Sequence, residues 1–322
     1  MLRFILGRMV KIALILLAIT ILNFCLIHMA PGDPALVMAG EAGDADPKFI
    51  EDLRAQFGLD KPFIVQLWTY VSHFATGDLG FSYRQQMPVS ELILDRLPAT
   101  LLLSISAFLI SLILGVVAGV IAAARQGKAS DSIISTIALL FYATPLFWMA
   151  LMAVLLFSVQ LGWMPAFGYE TAASDMTGLA RMLDIAHHLI LPSVVLGLFF
   201  MATYVRITRA SMLEVNRLDF VKTARAKGLK PSVIQRRHVL RNAILPVVTL
   251  AGLHAGQLVG GAVLIETVFA WPGIGRLMFE ALQSRDYNVL LGVFTVSAAL
   301  VLMFNLITDF TYRIVDPRIR LK

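Results

Sequence analysis

"FVKTARAKGL", residues 220–229, holds three basic side chains, a glycine and no acid. The chain around it has 322 residues, 58% of them hydrophobic and 15% charged, where a soluble domain carries about 45–50% and 25%. That composition belongs to an integral membrane protein with several spanning helices. A short cationic stretch, poor in large apolar side chains, stands between two of its most apolar segments. The fold therefore turns on which side of the membrane this stretch faces and what it touches.

Six stretches reach the length of about 20 residues needed to span: 9–30, 99–124, 132–160, 188–205, 244–265 and 287–310, the fourth being the shortest. Arg3, Arg8 and Lys11 precede the first. The apolar run behind them is longer than the ~7–15 residues of a signal-peptide core and has no clear small-x-small cleavage site, so it reads as an uncleaved span. Alternating the spans puts 19 of the 27 basic residues on one side, ten of them between spans four and five, and 16 of the 21 acidic residues on the other. By the positive-inside rule both termini and the loop 206–243 are expected to be cytoplasmic. The net charge of +6 then follows from topology and needs no nucleic-acid partner. The expected fold is an all-α polytopic membrane protein of six transmembrane helices in one domain, 1–322. It comprises a first span at 9–30, a large outer loop at 31–98, spans two to four within 99–205, the cytoplasmic loop 206–243, spans five and six within 244–310 and a tail at 311–322.

The outer loop has turn chemistry at "PGDP" (31–34) and "TGDLG" (76–80). Between them "EDLRAQFGLD" (51–60) and "PFIVQLWTYVSHF" (62–74) read as amphipathic helices. Two roles stand for this loop, a cap over the bundle and a docking surface for an external partner. In "ETVFAWPGIG" (266–275) the Pro-Gly pair forces a turn, and Trp271 fits an interfacial aromatic belt. Within the spans, Gly252, Gly256 and Gly260 form one small-residue ridge, and Gly115, Gly119 and Ala123 form another. Such ridges let helix backbones approach, within one chain or between two. His254, with Gln257 one turn away, is the ionisable group at depth. It packs helices as a neutral, hydrogen-bonded ring, lines a solute path together with Gln257, Tyr204 and Asn305, or, as the least favoured reading, binds a metal.

Absences narrow the function. No Asp or Glu falls at the centre of a span, which argues against ion-coupled secondary transport. No phosphate loop, HExxH or GxSxG occurs, which argues against a membrane enzyme. No cluster has metal-ligand spacing. The lone cysteine, Cys25, sits in an apolar run and has no internal disulfide partner.

Within the basic loop a helix is expected from about Leu218 to a stop at Gly228, with Pro231 opening a second helix. Val221, Ala224 and Gly228 share one face at i, i+3, i+7, small enough for the backbone to enter a groove on another protein, with Lys222, Arg225 and Lys227 around it. A helix lying on lipid would carry a stripe of Trp, Phe and Leu, and only Phe220 and Leu229 qualify, at the two ends.

The stretch "DFVKTARAKGL…RRHVLRNAILPVVT" (219–249) resembles the cytoplasmic loop of permease subunits of bacterial ATP-binding-cassette importers. Together with "APGDPALVMAG", "FGLDKP", "GDLGFSY", "RLPATL", "RASMLEV", "ETVFAWPGIGRL", "SRDY" and "DPRIR", in that order, it is similar to the dipeptide, oligopeptide and nickel permease family over nearly the whole chain. The general importer loop opens with Glu-Ala-Ala; here Lys222-Thr223-Ala224 stands in its place, and Leu245-Pro246 comes later than in the general form. The resemblance implies a type I importer permease fold, MetI-like, multi-pass in the bacterial inner membrane. It implies that Asp219, Phe220, Lys222, Thr223, Ala224, Arg225, Ala226, Lys227 and Gly228 form a coupling helix entering a cleft of an ATPase subunit. It further implies a second homologous permease subunit, two cytoplasmic ATPase subunits carrying the ATP and Mg, and an extracytoplasmic solute-binding protein. The chain itself would then sit in lipid, hold no cofactor and perform no chemistry. Peptides and nickel both stand as its solute.

Overall fold

The computed structural model describes residues 2–29, 46–56, 60–172 and 176–315, together with residues 36 and 39. Helices dominate. α1 is Leu2–Met29, α2 Pro47–Gln56 and α3 Phe63–Ala75. The expectation of an all-α chain is corrected by one small hairpin, β1 Phe81–Ser82 paired antiparallel with β2 Met87–Pro88. Then come α4 Val89–Ala124, α5 Ala129–Ala143, α6 Leu146–Ala153 with a π-helical continuation Val154–Gln160, and α7 Gly178–Val215. α8 Asp219–Ala226 is followed by α9 Pro231–Val233, a π-helical stretch Ile234–Leu240 and α10 Arg241–Ala243. α11 Leu245–Gly261, α12 Val263–Val268, α13 Ile274–Ser284 and α14 Tyr287–Val315 complete the order.

Among the described residues four helical segments are long and apolar enough to cross a membrane: Leu6–Leu26, Val89–Ala124, Gly178–Val215 and Tyr287–Thr308. The expected span over 132–160 is two helices, α5 and α6, bent by 102°. The cause is Pro145, whose ring pushes the preceding residue out of the helical region. Thr144 is extended (φ −78°, ψ 128°), and the helix restarts with Met149 N–H donating to Pro145 O at 3.0 Å. Pro98 and Pro192, by contrast, lie inside α4 and α7 without ending them. The expected shortest span, 188–205, is the core of the longest helix, α7, whose 38 residues run about 57 Å at ~1.5 Å each. Its charged first and last turns hide that length from a hydropathy reading. The expected fifth span, 244–265, is divided at Ala262 into α11 and α12, and its apolar part is the short segment Leu245–His254.

The chain forms two compact units, 1–98 with 273–302 and 99–272 with 303–322. In the first, Asn23 of α1 donates to Leu291 O (3.3 Å) and Thr295 Oγ1 (2.9 Å) of α14. Buried Asp286 caps α14 by accepting from Val289 N–H (3.1 Å), and it takes the Ser82 hydroxyl of the hairpin at 2.5 Å. A carboxylate facing the free N–H groups of a first helical turn is favoured there by charge as well as by hydrogen bonding.

In the second unit the 266–275 segment departs from its expectation. Trp271 is not in an interfacial belt. It is wholly buried, its indole N–H donates to Ala99 O at 2.8 Å, and its ring meets Tyr169 edge-on at 4.8 Å. Ala270 takes a positive φ of 50°, which turns the chain so that Trp271 N–H returns to Glu266 O at 2.8 Å. Glu266, buried in α12, accepts from Thr100 Oγ1 at 2.7 Å. Trp271→Phe removes one buried donor and part of a ring. It should cost about 1–2 kcal/mol, read as a lowered thermal midpoint of the detergent-solubilised protein.

Candidate functional site

The basic loop folds onto its own chain. α7 ends at Val215, and Asn216 links the following elements by accepting from Arg225 Nη2 (3.4 Å) and Gln235 Nε2 (3.1 Å). α8 then begins with Asp219 in its first turn and ends with Arg225 in its last, each the sign the helix dipole favours at that end. Lys222 Nζ lies 2.8 Å from Asp219 Oδ1. Gly228 ends the helix at φ +73°, a conformation that suits glycine. Its N–H donates to Arg225 O at 2.9 Å.

Of the three residues expected on the docking face, Val221 and Ala224 turn inward and Gly228 is exposed. Val221 and Ala224 are buried in a cluster with Met212 of α7, Ala123 of α4, and Ile234 and Val239 of the π-helical stretch. A small face suits close helix packing wherever it is, and here the chain uses it internally. The exposed set is Asp219, Phe220, Lys222, Thr223, Arg225, Ala226, Lys227 and Gly228. Phe220 is 42% exposed, and Leu218 and Leu229 flank it in the open. α8 is thus anchored by its small side and offers an aromatic residue among cations. That surface complements an acidic, partly apolar cleft.

A second feature escaped the sequence reading. Buried Asp131 at the start of α5 accepts a two-pronged bond from Arg209 of α7, 2.6 Å to Nε and 2.8 Å to Nη2, and also takes Gly127 N–H at 3.1 Å. Fork-to-fork pairing fixes orientation as well as distance. An acid on the side otherwise rich in base was the available signal. Arg209 is 32% exposed, so solvent screens part of the attraction.

The small-residue ridges on described residues pack within the chain. A Cβ on Gly115 would collide with Tyr204 of α7, and one on Gly119 would lie 2.6 Å from Thr208 Cβ and 2.9 Å from Val205 O. On α11, a Cβ at Gly252 would run into Thr308 of α14. Gly256 is buried. The surroundings of Gly260 and the side chain of Gln257 lie outside the described residues.

The structure brings two of the expected path residues together. The His254 ring is 5.4 Å from those of both Tyr204 and Phe200. His254 Nδ1 and Tyr204 Oη are buried, with no hydrogen-bond partner among the described residues. Asn305 is half-buried on α14. A separate cavity of about 400 Å³ opens between α4, α11 and α14, lined by apolar groups such as Phe108, Leu112, Val247 and Phe304. His254, Tyr204 and Asn305 are not in its lining. Among the described residues no group of three or more His, Cys, Asp or Glu could hold a metal ion.

Residues 115–321 match the family described as "Binding-protein-dependent transport system inner membrane component", and residues 1–104 match its N-terminal companion, "Binding-prot-dependent transport system membrane comp, N-term". The chain belongs to this family. Curated relatives agree over the full length. The dipeptide transport system permease protein DppB of Alkalihalophilus pseudofirmus is 41% identical, covering 99% of this chain and 100% of the relative. The di/tripeptide transport system permease protein DppB of Pseudomonas aeruginosa is 42% identical, covering 99% of each, and the Escherichia coli K12 dipeptide permease DppB is 40% identical over 100% of each. Two solved structures share the fold. An inward-facing MetNI methionine ABC transporter has TM-score 0.57 at 19% identity, covering 70% of this chain and 96% of that one. An amino acid ABC transporter with histidines has TM-score 0.53 at 15% identity, covering 70% and 94%. As a family member the chain is a helical, multi-pass membrane permease, a transport component and not an enzyme.

Proposed function

We propose that this permease forms half of the translocation pathway of an ATP-driven importer of di- and oligopeptides in the bacterial inner membrane. α8 is its coupling helix. The observation that carries this reading is the exposed cationic face of α8, held to the core by Val221 and Ala224. Force applied to Phe220 and Arg225 by a closing ATPase pair passes through that cluster into Met212 of α7 and Ala123 of α4. α7 is in turn seated against Gly115 and Gly119 and tied to α5 by the Asp131–Arg209 fork. Such a linkage converts a partner's hydrolysis into a shift between two helix packings.

The bent pair over 129–160 and the divided segment over 245–268 count as the third and fifth crossings. The chain then crosses six times with both termini cytoplasmic, and the charge asymmetry supports that topology. The partners are a homologous second permease, two cytoplasmic ATPase subunits holding ATP and Mg, and an extracytoplasmic binding protein; this chain binds no cofactor. Full-length relatives named for dipeptides favour peptide over nickel as solute. The test is reconstitution of the assembled transporter in proteoliposomes. Labelled dipeptide should accumulate only with ATP inside the ATPase compartment and binding protein on the opposite side. Uptake driven by an ion gradient without ATP would refute the reading.

A further inference from the structure

The outer face of α3 exposes large apolar side chains. This helix lies on the last two turns of α1. The Phe24 ring is 5.1 Å from Phe63 and 5.7 Å from Tyr70, and His28 Nε2 is 2.9 Å from Gln66 Oε1. Leu17, Ile21, Phe24 and His28 follow one stripe of α1 at helical spacing. Its lower part, Leu17 and Ile21, is open, whereas Phe24 is buried beneath α3. The apolar segment Leu6–Leu26 has 21 residues, about 32 Å at ~1.5 Å each, which matches a hydrocarbon core of about 30 Å. Phe24 to His28 therefore sit where that core ends, and the contacts fix α3 at the same level.

At that level α3 turns apolar groups outward. Ile64 is 71% exposed and Trp68 73%, with Phe63 beside them. The second half exposes no large apolar side chain, only Ser72, His73 and Ala75, and exposed Lys61 stands just before the helix. Apolar area at the boundary depth, a tryptophan and a flanking cation are the features of a helix lying in a bilayer interface.

We propose that α3 is an interfacial membrane helix whose first two turns place Phe63, Ile64 and Trp68 between lipid headgroups and acyl chains, with Lys61 at the level of the phosphates. The inference rests on α1 being a membrane span and is independent of the solute. The experiment uses the full chain assembled with its partner subunits in vesicles of phosphatidylethanolamine and phosphatidylglycerol. In a Cys25→Ser background, an environment-sensitive fluorophore is attached through Ile64→Cys, Trp68→Cys or, for comparison, Asp60→Cys. All three side chains are exposed, so either apolar position can serve if the other substitution expresses poorly. Labels at 64 and 68 should be quenched severalfold more by lipids spin-labelled near the headgroup than by lipids labelled at the chain end. They should be quenched severalfold less by aqueous iodide than the label at 60. Iodide quenching equal to that at position 60 would place the face in water and overturn the proposal. Shielding from both lipid and iodide would place it against protein, as would shielding that appears only on adding binding protein, and either result would also overturn it.

Discussion

Phe220→Asp should leave the permease folded and inserted, and should lower binding-protein-stimulated ATP hydrolysis by the assembled transporter about tenfold or more. Phe220 is 42% exposed and makes no part of the cluster that anchors α8, so its loss costs the isolated subunit little. In a docked complex an aromatic anchor surrounded by cations is the kind of residue whose truncation costs about 2 kcal/mol or more, and tenfold corresponds to about 1.4 kcal/mol. An added carboxylate facing an acidic cleft increases the loss by like-charge repulsion. Arg225→Glu should act in the same direction, with a smaller effect in high salt, where exposed charges are screened. Gly228→Trp probes something else. Its Cβ direction is open, but its φ is +73°, so that variant reports backbone strain at the helix end. If Phe220→Asp couples normally, the exposed face of α8 is not the docking face.

Gly115→Leu should destabilise the second unit strongly, by about 3 kcal/mol or more. Even a methyl group there collides with Tyr204 and stands 3.0 Å from Met201 O. A backbone carbonyl of a neighbouring helix cannot rotate away as a side-chain tip can, so α4 and α7 would have to separate. Gly7→Leu is the internal comparison, since nothing lies within 4 Å of its added Cβ. Replacing a glycine in an open helix interior should be neutral or slightly stabilising, by up to about 1 kcal/mol. The fraction of monodisperse protein surviving a heat step in detergent separates the two. Equal survival of both variants would show that α4 and α7 do not pack through this ridge.

Much of this architecture was legible because it rests on one-dimensional signals. Hydropathy located α1, α4 and α14; Gly228 and Pro231 marked the end of α8 and the start of α9; "PFIVQLWTYVSHF" gave α3 almost to the residue. What escaped depends on tertiary placement. The same Val221–Ala224 face would suit a partner's groove or the chain's own α7, and spacing cannot tell which. Trp271 next to a Pro-Gly turn reads as interfacial until Ala99 O is known to lie within reach of its indole. The 102° bend at Thr144–Pro145 was signalled by a proline, yet Pro98 and Pro192 sit in unbroken helices, so residue type alone does not decide. The Asp131–Arg209 fork joins positions 78 residues apart, a distance no local pattern spans. The glycine ridges announced close packing, and only the structure names Tyr204, Thr208 and Thr308 as what they meet.

The most direct test of the central claim, that α8 hands its exposed face to a cytoplasmic ATPase, is the accessibility of a cysteine at Ala226→Cys to a membrane-impermeant maleimide, in a Cys25→Ser background. Ala226 is exposed on α8, outside the buried cluster. The account predicts no modification in intact cells, rapid modification in inverted vesicles stripped of ATPase subunits, and protection when those subunits are restored. Modification from outside intact cells, or a rate in inverted vesicles unchanged by the ATPases, would contradict it.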